Sequence, residues 1–218
     1  NYDGTQATFD SFGYQSKTMS VSGNYIAISA VSDKGSSGLA NAGMVYVYLI
    51  SSFGSAGSTI TSANYTIQNP DFYSGTTNEA HDYFGSAVAL DGSNLVVGTS
   101  QEGGVATGND YSGVVHVYDI ATFTSWSSGS INVTSAKYAI GNPNADGAST
   151  QNDFYGGSVS ISGSKFVASA RGEDVNTATG VVYIQNVSDG AVTHRIEGPV
   201  GRTNFGNNGA VLSGNILF

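Results

Sequence analysis

The sequence predicts an all-β protein assembled from repeated four-stranded antiparallel units. Three observations carry that prediction: a glycine-rich and charge-poor composition, short apolar runs of period two separated by tight-turn residues, and the recurrence of one stretch along the chain. Asp, Glu, Lys and Arg make up only 11% of the 218 residues, against about 25% in ordinary soluble domains. Gly reaches 30 and Pro only 3, with Ser, Thr, Asn and 13 Tyr supplying the polar surface. Charged helix faces are therefore scarce, and no stretch combines a helical apolar period with capping residues.

The repeat orders the elements. A first block, which reads as two strands joined by a tight turn, appears as SFGYQSKTMSVSGNYIAISA from Ser11 and YFGSAVALDGSNLVVGTS from Tyr83. It returns as FYGGSVSISGSKFVASA from Phe154 and NFGNNGAVLSGNILF from Asn204. Gly23, Gly92 and Gly163 sit between the apolar runs, where a tight hairpin needs a residue tolerant of positive φ, so strands one and two are antiparallel neighbours. A second block gives strand three: AGMVYVYLI from Ala42, SGVVHVYDI from Ser112 and TGVVYIQNV from Thr179. A third closes each unit: TSANYTIQNP from Thr61, TSAKYAIGNP from Thr134 and VTHRIEGP from Val192. The units run 1–68, 69–141, 142–197 and, incompletely, 198–218.

Four-stranded antiparallel units in series read as blades of a β-propeller, with apolar side chains buried between neighbouring blades. The expectation is three full blades and the start of a fourth, a partial propeller in one domain. Closed propellers take about four to eight blades. The chain opens on Asn1, the counterpart of Asn69 and Asn142, and stops within a fourth unit, so a longer protein is expected, with an oligomer-closed array as the alternative.

Phe12-Gly13, Phe84-Gly85, Tyr155-Gly156 and Phe205-Gly206, each leading toward a Gly-x-Val-Tyr-Val-Tyr-like strand, resemble FG-GAP repeats of the integrin α-subunit propeller. The later half of that motif survives as Ala30-Val31, Thr99-Ser100 and Ala170-Arg171. The resemblance implies a propeller that recognises or adheres to a partner outside the cell. It also implies calcium loops of the type Asp-x-Asp-x-Asp-Gly between strands one and two, where a hard cation needs oxygen ligands at alternate positions. Those turns hold Val21-Ser22-Gly23-Asn24, Leu90-Asp91-Gly92-Ser93 and Ile161-Ser162-Gly163-Ser164. One carboxylate in three turns cannot build that site, so calcium does not carry over and Asp91 reads as a turn former.

Charge narrows the partners. A net charge of -9 with 7 Lys plus Arg disfavours nucleic acid, whose binding rests on cations displacing counterions. No run of about 18 apolar residues is present, so no membrane-spanning helix is expected in this segment. The absence of Cys removes thiolate chemistry. Sequons at Asn64, Asn132 and Asn186 occur at the frequency composition alone gives.

Candidate sites follow from strand parity. Turns 1-2 and 3-4 fall on one face of each blade, and the 2-3 loop and 4-1 link fall on the other. The long irregular segments Ser32 to Ala42, Thr99 to Tyr111, Gly172 to Thr179, Asp71 to Asp82 and Asn144 to Asp153 gather on that second face. Loops on a rigid scaffold are where binding sits, which makes Tyr73, His81, Glu102, Asp110, Tyr111, Asp146 and Glu173 candidate ligand contacts. An acid also recurs two residues before the aromatic-Gly pair, at Asp10, Asp82 and Asp153, with Thr203 in the fourth copy. It reads either as a side-chain bond organising the loop or, with Glu79 or Asp146, as a weak cation site. His81, His116 and His194 form no informative cluster, no catalytic residue is assigned, and Arg171 to Asp174 reads as a solvated loop. Trp126 reads as an exposed contact or as packing over the blade's outer edge.

The sequence reading is therefore a non-enzymatic recognition or adhesion module of a larger extracellular, cell-surface or virion-surface protein, with a protein or glycan ligand and no cofactor. The alternative is a structural subunit of a virion tail, fibre or extracellular filament that packs against copies of itself.

Overall fold

The structure, a computed structural model, describes residues 10–14, 17–35, 40–70, 81–103, 111–123, 131–133, 135–143, 152–175, 178–199, 204–214 and 216–218. Blade one holds β1 (Met19–Ser22), β2 (Tyr25–Ala30), β3 (Met44–Leu49) and β4 (Tyr65–Gln68). Blade two holds β5 (Phe84–Asp91), β6 (Asn94–Thr99), β7 (Val114–Asp119) and β9 (Tyr138–Gly141), with β8 (Ile131–Val133) arising between its last two strands. Blade three holds β10 (Tyr155–Ser162), β11 (Lys165–Val175), β12 (Ala178–Asn186) and β13 (Val192–Glu197), and blade four is represented by β14 (Leu212–Ser213) and β15 (Ile216–Leu217). Within each blade the strands pair antiparallel in chain order, giving a partial propeller.

Alternation along each strand sends side chains to both blade faces, and both are covered where a blade has two neighbours. Ala27, Val45, Val47 and Ile67 of blade one meet Phe84, Val88, Leu90, Leu95, Val97 and Tyr118 of blade two. Val96, Val115 and Val117 then meet Tyr155, Ile161, Phe166, Ala168 and Tyr183 of blade three. Val167 and Val182 carry the series on to Ala210 and Leu212 of blade four. Each fully buried Phe or Leu contributes about 1.5–3 kcal/mol. The core is thus a set of slabs between blades.

The inner strands are also stitched by polar bonds that repeat at every step. The hairpin glycines adopt the expected positive φ, at +56° for Gly23, +58° for Gly92 and +59° for Gly163. Gly92 N–H donates to Ser22 Oγ of the preceding blade at 3.0 Å, Gly163 N–H to Asp91 Oδ2, and Gly214 N–H to Ser162 Oγ at 2.9 Å. Asp91 therefore holds the next blade's turn as well as belonging to its own. The Phe-Gly pair serves the same junction. A β-bulge follows Phe84, and Gly85 at φ +83° lies so close to blade one that a Cβ would stand 2.6 Å from Ser29 Cβ.

Two segments differ from the sequence reading. Gly172 to Thr179, expected to be irregular, instead extends the β11–β12 hairpin with Asp174 opposite Thr179 and Val175 opposite Ala178, in keeping with the β-branched residues there. The Ser-rich connection of blade two yields β8, which pairs parallel with β4 as a fifth strand on blade one and covers that edge. Trp126 lies outside the described residues.

Candidate functional site

The loop face is built from left-handed backbone that repeats with the blades. Ser11, Tyr83, Phe154 and Asn204, each just before the aromatic-Gly pair, have φ between +56° and +58°. His81 and Asn152, two residues earlier in their units, also lie at positive φ, as do Asn41 and Tyr111 before strand three. Consecutive blades meet there through backbone bonds. Tyr83 N–H donates to Asn41 O at 3.0 Å, and Phe154 N–H to Tyr111 O at 2.9 Å. Non-glycine residues adopt this conformation at a cost of order 1 kcal/mol, so the surrounding bonds fix the loops rigidly.

That geometry displays aromatic side chains. Tyr111 stacks on Phe154 with ring centroids 6.0 Å apart and planes within 7°, and the Arg171 guanidinium lies 3.7 Å from the Phe154 centroid. His81 and Tyr83 form a second, looser pair at 6.3 Å. Tyr111, Phe154 and Arg171 are each half-buried, leaving part of every group open to solvent. Partial burial lowers the Arg171 pKa from its usual value. Lys17 of blade one reaches blades three and four, where its Nζ donates to Gly157 O at 3.4 Å and to Asn207 O. Burial, then the charge of Arg171, lowers its pKa. Two of the chain's few cations thus lie close together in a protein of strongly negative net charge.

Beneath the face, acids occupy structural positions that repeat. Asp33, Glu102 and Glu173 each stand three residues beyond the matching positions Ala30, Thr99 and Ala170 of strand two, and each meets the same position of strand three. Tyr46 Oη donates to Asp33 Oδ2 at 2.6 Å, His116 Nε2 lies 3.2 Å from Glu102 Oε2, and Tyr183 Oη lies 2.7 Å from both carboxylate oxygens of Glu173. Arg195 adds a 2.9 Å ion pair to Glu173. Burial opposes the Arg195 charge, but Glu173 and Tyr183 outweigh it and hold the guanidinium more firmly protonated than usual. Glu102 and Glu173 are buried, which corrects their reading as ligand contacts. Arg171 to Asp174 is likewise not a solvated loop, because Arg171 covers a ring and Glu173 anchors the interior.

The recurring acid before the aromatic-Gly pair also takes a structural partner. Asn69 Nδ2 donates to Asp82 Oδ2 at 3.0 Å and Asn142 Nδ2 to Asp153 Oδ2 at 2.6 Å, tying the end of one blade to the start of the next. In the fourth unit both partners change together, to Gly198 and Thr203. Asp10 lines a crevice on blade one with Asp33 and Tyr46. No group of three or more His, Asp or Glu side chains suited to a metal ion occurs among the described residues. Tyr73, Glu79, Asp110 and Asp146 lie outside the described residues, while His81 and Tyr111 lie in loops at the link into a blade and before strand three.

Residues 78–118, which span the link into blade two and its first three strands, match the family model of the FG-GAP repeat. Blade two is similar to an FG-GAP repeat. Blades one and three repeat three features of blade two in register, the aromatic-Gly pair, the acid of Asp33, Glu102 and Glu173, and the glycine three residues before Tyr46, His116 or Tyr183, while blade four carries the aromatic-Gly pair. No curated protein matches the chain. No helix among the described residues is long and apolar enough to cross a membrane.

The buried tyrosines set an alkaline limit on this arrangement. Burial pushes Tyr118 and Tyr155 above the ordinary value of 10.0, and burial with the nearby Asp189 charge pushes Tyr138 up to about 12. A tyrosine with a folded pKa above its unfolded one stabilises the fold fully below pH 10, and that contribution disappears as pH rises toward the folded value. The urea midpoint is expected to fall from about pH 10 upward, with much of the tyrosinate absorbance appearing only on unfolding. A midpoint constant to pH 12 would contradict this assignment.

Proposed function

We propose that the chain is a non-enzymatic recognition module whose loop face binds a protein or glycan outside the cell, as part of an adhesion or surface-attachment protein. The observation carrying this reading is the half-buried Tyr111–Phe154–Arg171 group, held by left-handed loops on a rigid blade junction. Aromatic faces with an adjacent guanidinium suit the apolar face of a sugar ring or a planar side chain, and Arg and Tyr are enriched where binding energy concentrates. The FG-GAP repeat supports an adhesive propeller. A non-enzymatic reading is supported by the engagement of the acids in structural bonds, Glu102 and Glu173 within their own blades and Asp82 and Asp153 across the links between blades.

The test is binding of the chain to glycan arrays and to a panel of extracellular matrix proteins, repeated with Tyr111→Ala and Arg171→Gln combined. At least a tenfold loss of affinity, with the thermal midpoint changed by only a few degrees, is expected. Unchanged affinity in the folded double variant would move the site off this face.

A further inference from the structure

Lys17 and Arg171 come together where blades one, three and four approach, and neither residue is part of the repeat. Hairpin register aligns Lys17 with Ser86 of blade two and Gly157 of blade three, and Arg171 with Val31 and Ser100. In blade two the two matching positions bond to each other, Ser100 N–H donating to Ser86 Oγ at 3.2 Å. In blade three they are Gly157 and Arg171, and Gly157, with no side chain, leaves its carbonyl open to Lys17 Nζ from blade one at 3.4 Å. The fold is therefore built in other blades without a cation at either place. Asp33, Glu102 and Glu173, by contrast, recur because each blade uses its acid internally.

The placement is costly while the two charges stand alone. Lys17 and Arg171 are both half-buried, and the charge of Arg171 adds to burial in lowering the Lys17 pKa. The carbonyls of Gly157 and Asn207 accept from Lys17 but bring no net charge. Nearby acids are engaged elsewhere: Asp153 takes Asn142 Nδ2, and Glu173 takes Tyr183 and Arg195. Among the described residues no carboxylate pairs with either cation. The Arg171 guanidinium lies 3.7 Å from the Phe154 centroid, a contact that uses none of its N–H hydrogen bonds. Those forked donors are the part of arginine that matches an oxyanion.

We propose that Lys17 and Arg171 are the anion-recognising part of the binding site and that its ligand is an acidic sugar, with a carboxylate or sulfate between the two cations and the ring against Tyr111. The inference rests on the recognition reading and narrows its ligand class. A sugar is favoured over an acidic peptide because the cations adjoin the Tyr111–Phe154 stack, whose planes lie within 7° and offer a flat apolar platform for the C–H face of a sugar ring. An anion seated between the cations offsets their mutual repulsion, so local charge outweighs the chain's net charge of -9 at this one place.

The experiment is calorimetric titration of the 218-residue chain with an oligogalacturonate, the same oligosaccharide fully methyl-esterified, and a sulfated oligosaccharide of similar length. At least one acidic form is expected to bind at least about tenfold more tightly than the neutral ester, and whichever binds more tightly identifies the acid group. Arg171→Gln is expected to abolish that preference, as is Lys17→Gln, which keeps a donor for the Gly157 carbonyl. Arg171→Lys retains part of it. Tyr111→Ala is expected to weaken acidic and esterified forms by the same factor. Because Lys17 also ties blades together, Arg171→Gln alone decides if Lys17→Gln lowers the thermal midpoint. Equal affinity for acidic and esterified forms, or no binding of any form, would overturn the proposal. So would an acid preference that survives Arg171→Gln, or a polyglutamate peptide that binds more tightly than either acidic sugar. The recognition reading outlasts such a failure if a neutral glycan or a protein binds the chain and loses affinity with Tyr111→Ala.

Discussion

Gly113→Ala is expected to cost at least about 3 kcal/mol of stability and Gly163→Ala only about 1 kcal/mol, although both glycines lie at positive φ. The difference is what a Cβ would meet. At Gly113 it would stand 2.1 Å from Tyr155 O and 2.5 Å from Tyr155 N of blade three, backbone atoms that cannot move without breaking the junction. Tyr155 N–H donates to Ser112 O at 2.9 Å, and Gly113 bridges Tyr155 in parallel fashion. The same clash awaits at Gly43 with Phe84 O and at Gly180 with Phe205 O, so the glycine before strand three is where each blade's backbone meets the next. At Gly163 nothing lies within 4 Å, and only the left-handed strain remains. Urea unfolding of the two variants measures the contrast, and costs within about 0.5 kcal/mol of each other would refute the close-approach account.

The features legible in the sequence are those that local physics dictates. Period-two runs ending at Gly23, Gly92 and Gly163 mark the inner hairpins, because hydrophobic alternation and positive φ leave few other solutions. The loop face followed from counting strands, and Tyr111 is on it. Glu102 and Glu173 were misread because a carboxylate in a long polar stretch looks solvated, and its burial is decided by strand three, some ten residues on. The usable signal was the repeated spacing: Ala30-x-x-Asp33, Thr99-x-x-Glu102 and Ala170-x-x-Glu173, followed by Tyr46, His116 and Tyr183 at one position of strand three. β8 left no such trace, since a three-residue parallel pairing to another blade has no local pattern. Phe154 and Arg171 were missed for a related reason: their contact depends on the left-handed backbone of Phe154, which its bulky side chain does not advertise.

Replacing Glu173 by Ala is expected to cost about 3 kcal/mol, at the lower end for breaking a buried ion pair because Arg195 keeps some solvent contact. The carboxylate is fully buried and serves two donors from different strands, Tyr183 on β12 and Arg195 on β13. Its removal leaves a guanidinium and a phenol facing a void where water does not fully replace it. Glu173→Gln retains acceptor oxygen but loses the charge, so an intermediate cost of about 1–2 kcal/mol is expected. Glu197 also pairs with Arg195 but is half-exposed, and its replacement by Ala is expected to cost no more than about 1 kcal/mol. An apolar pair, Glu173→Leu with Arg195→Met, removes both charges together and is expected to recover a large part of the loss. Denaturant unfolding of the four variants separates the possibilities. If Glu173→Ala costs no more than Glu197→Ala, the acid is not an anchor of blade three, and its reading as a ligand contact on the loop face returns.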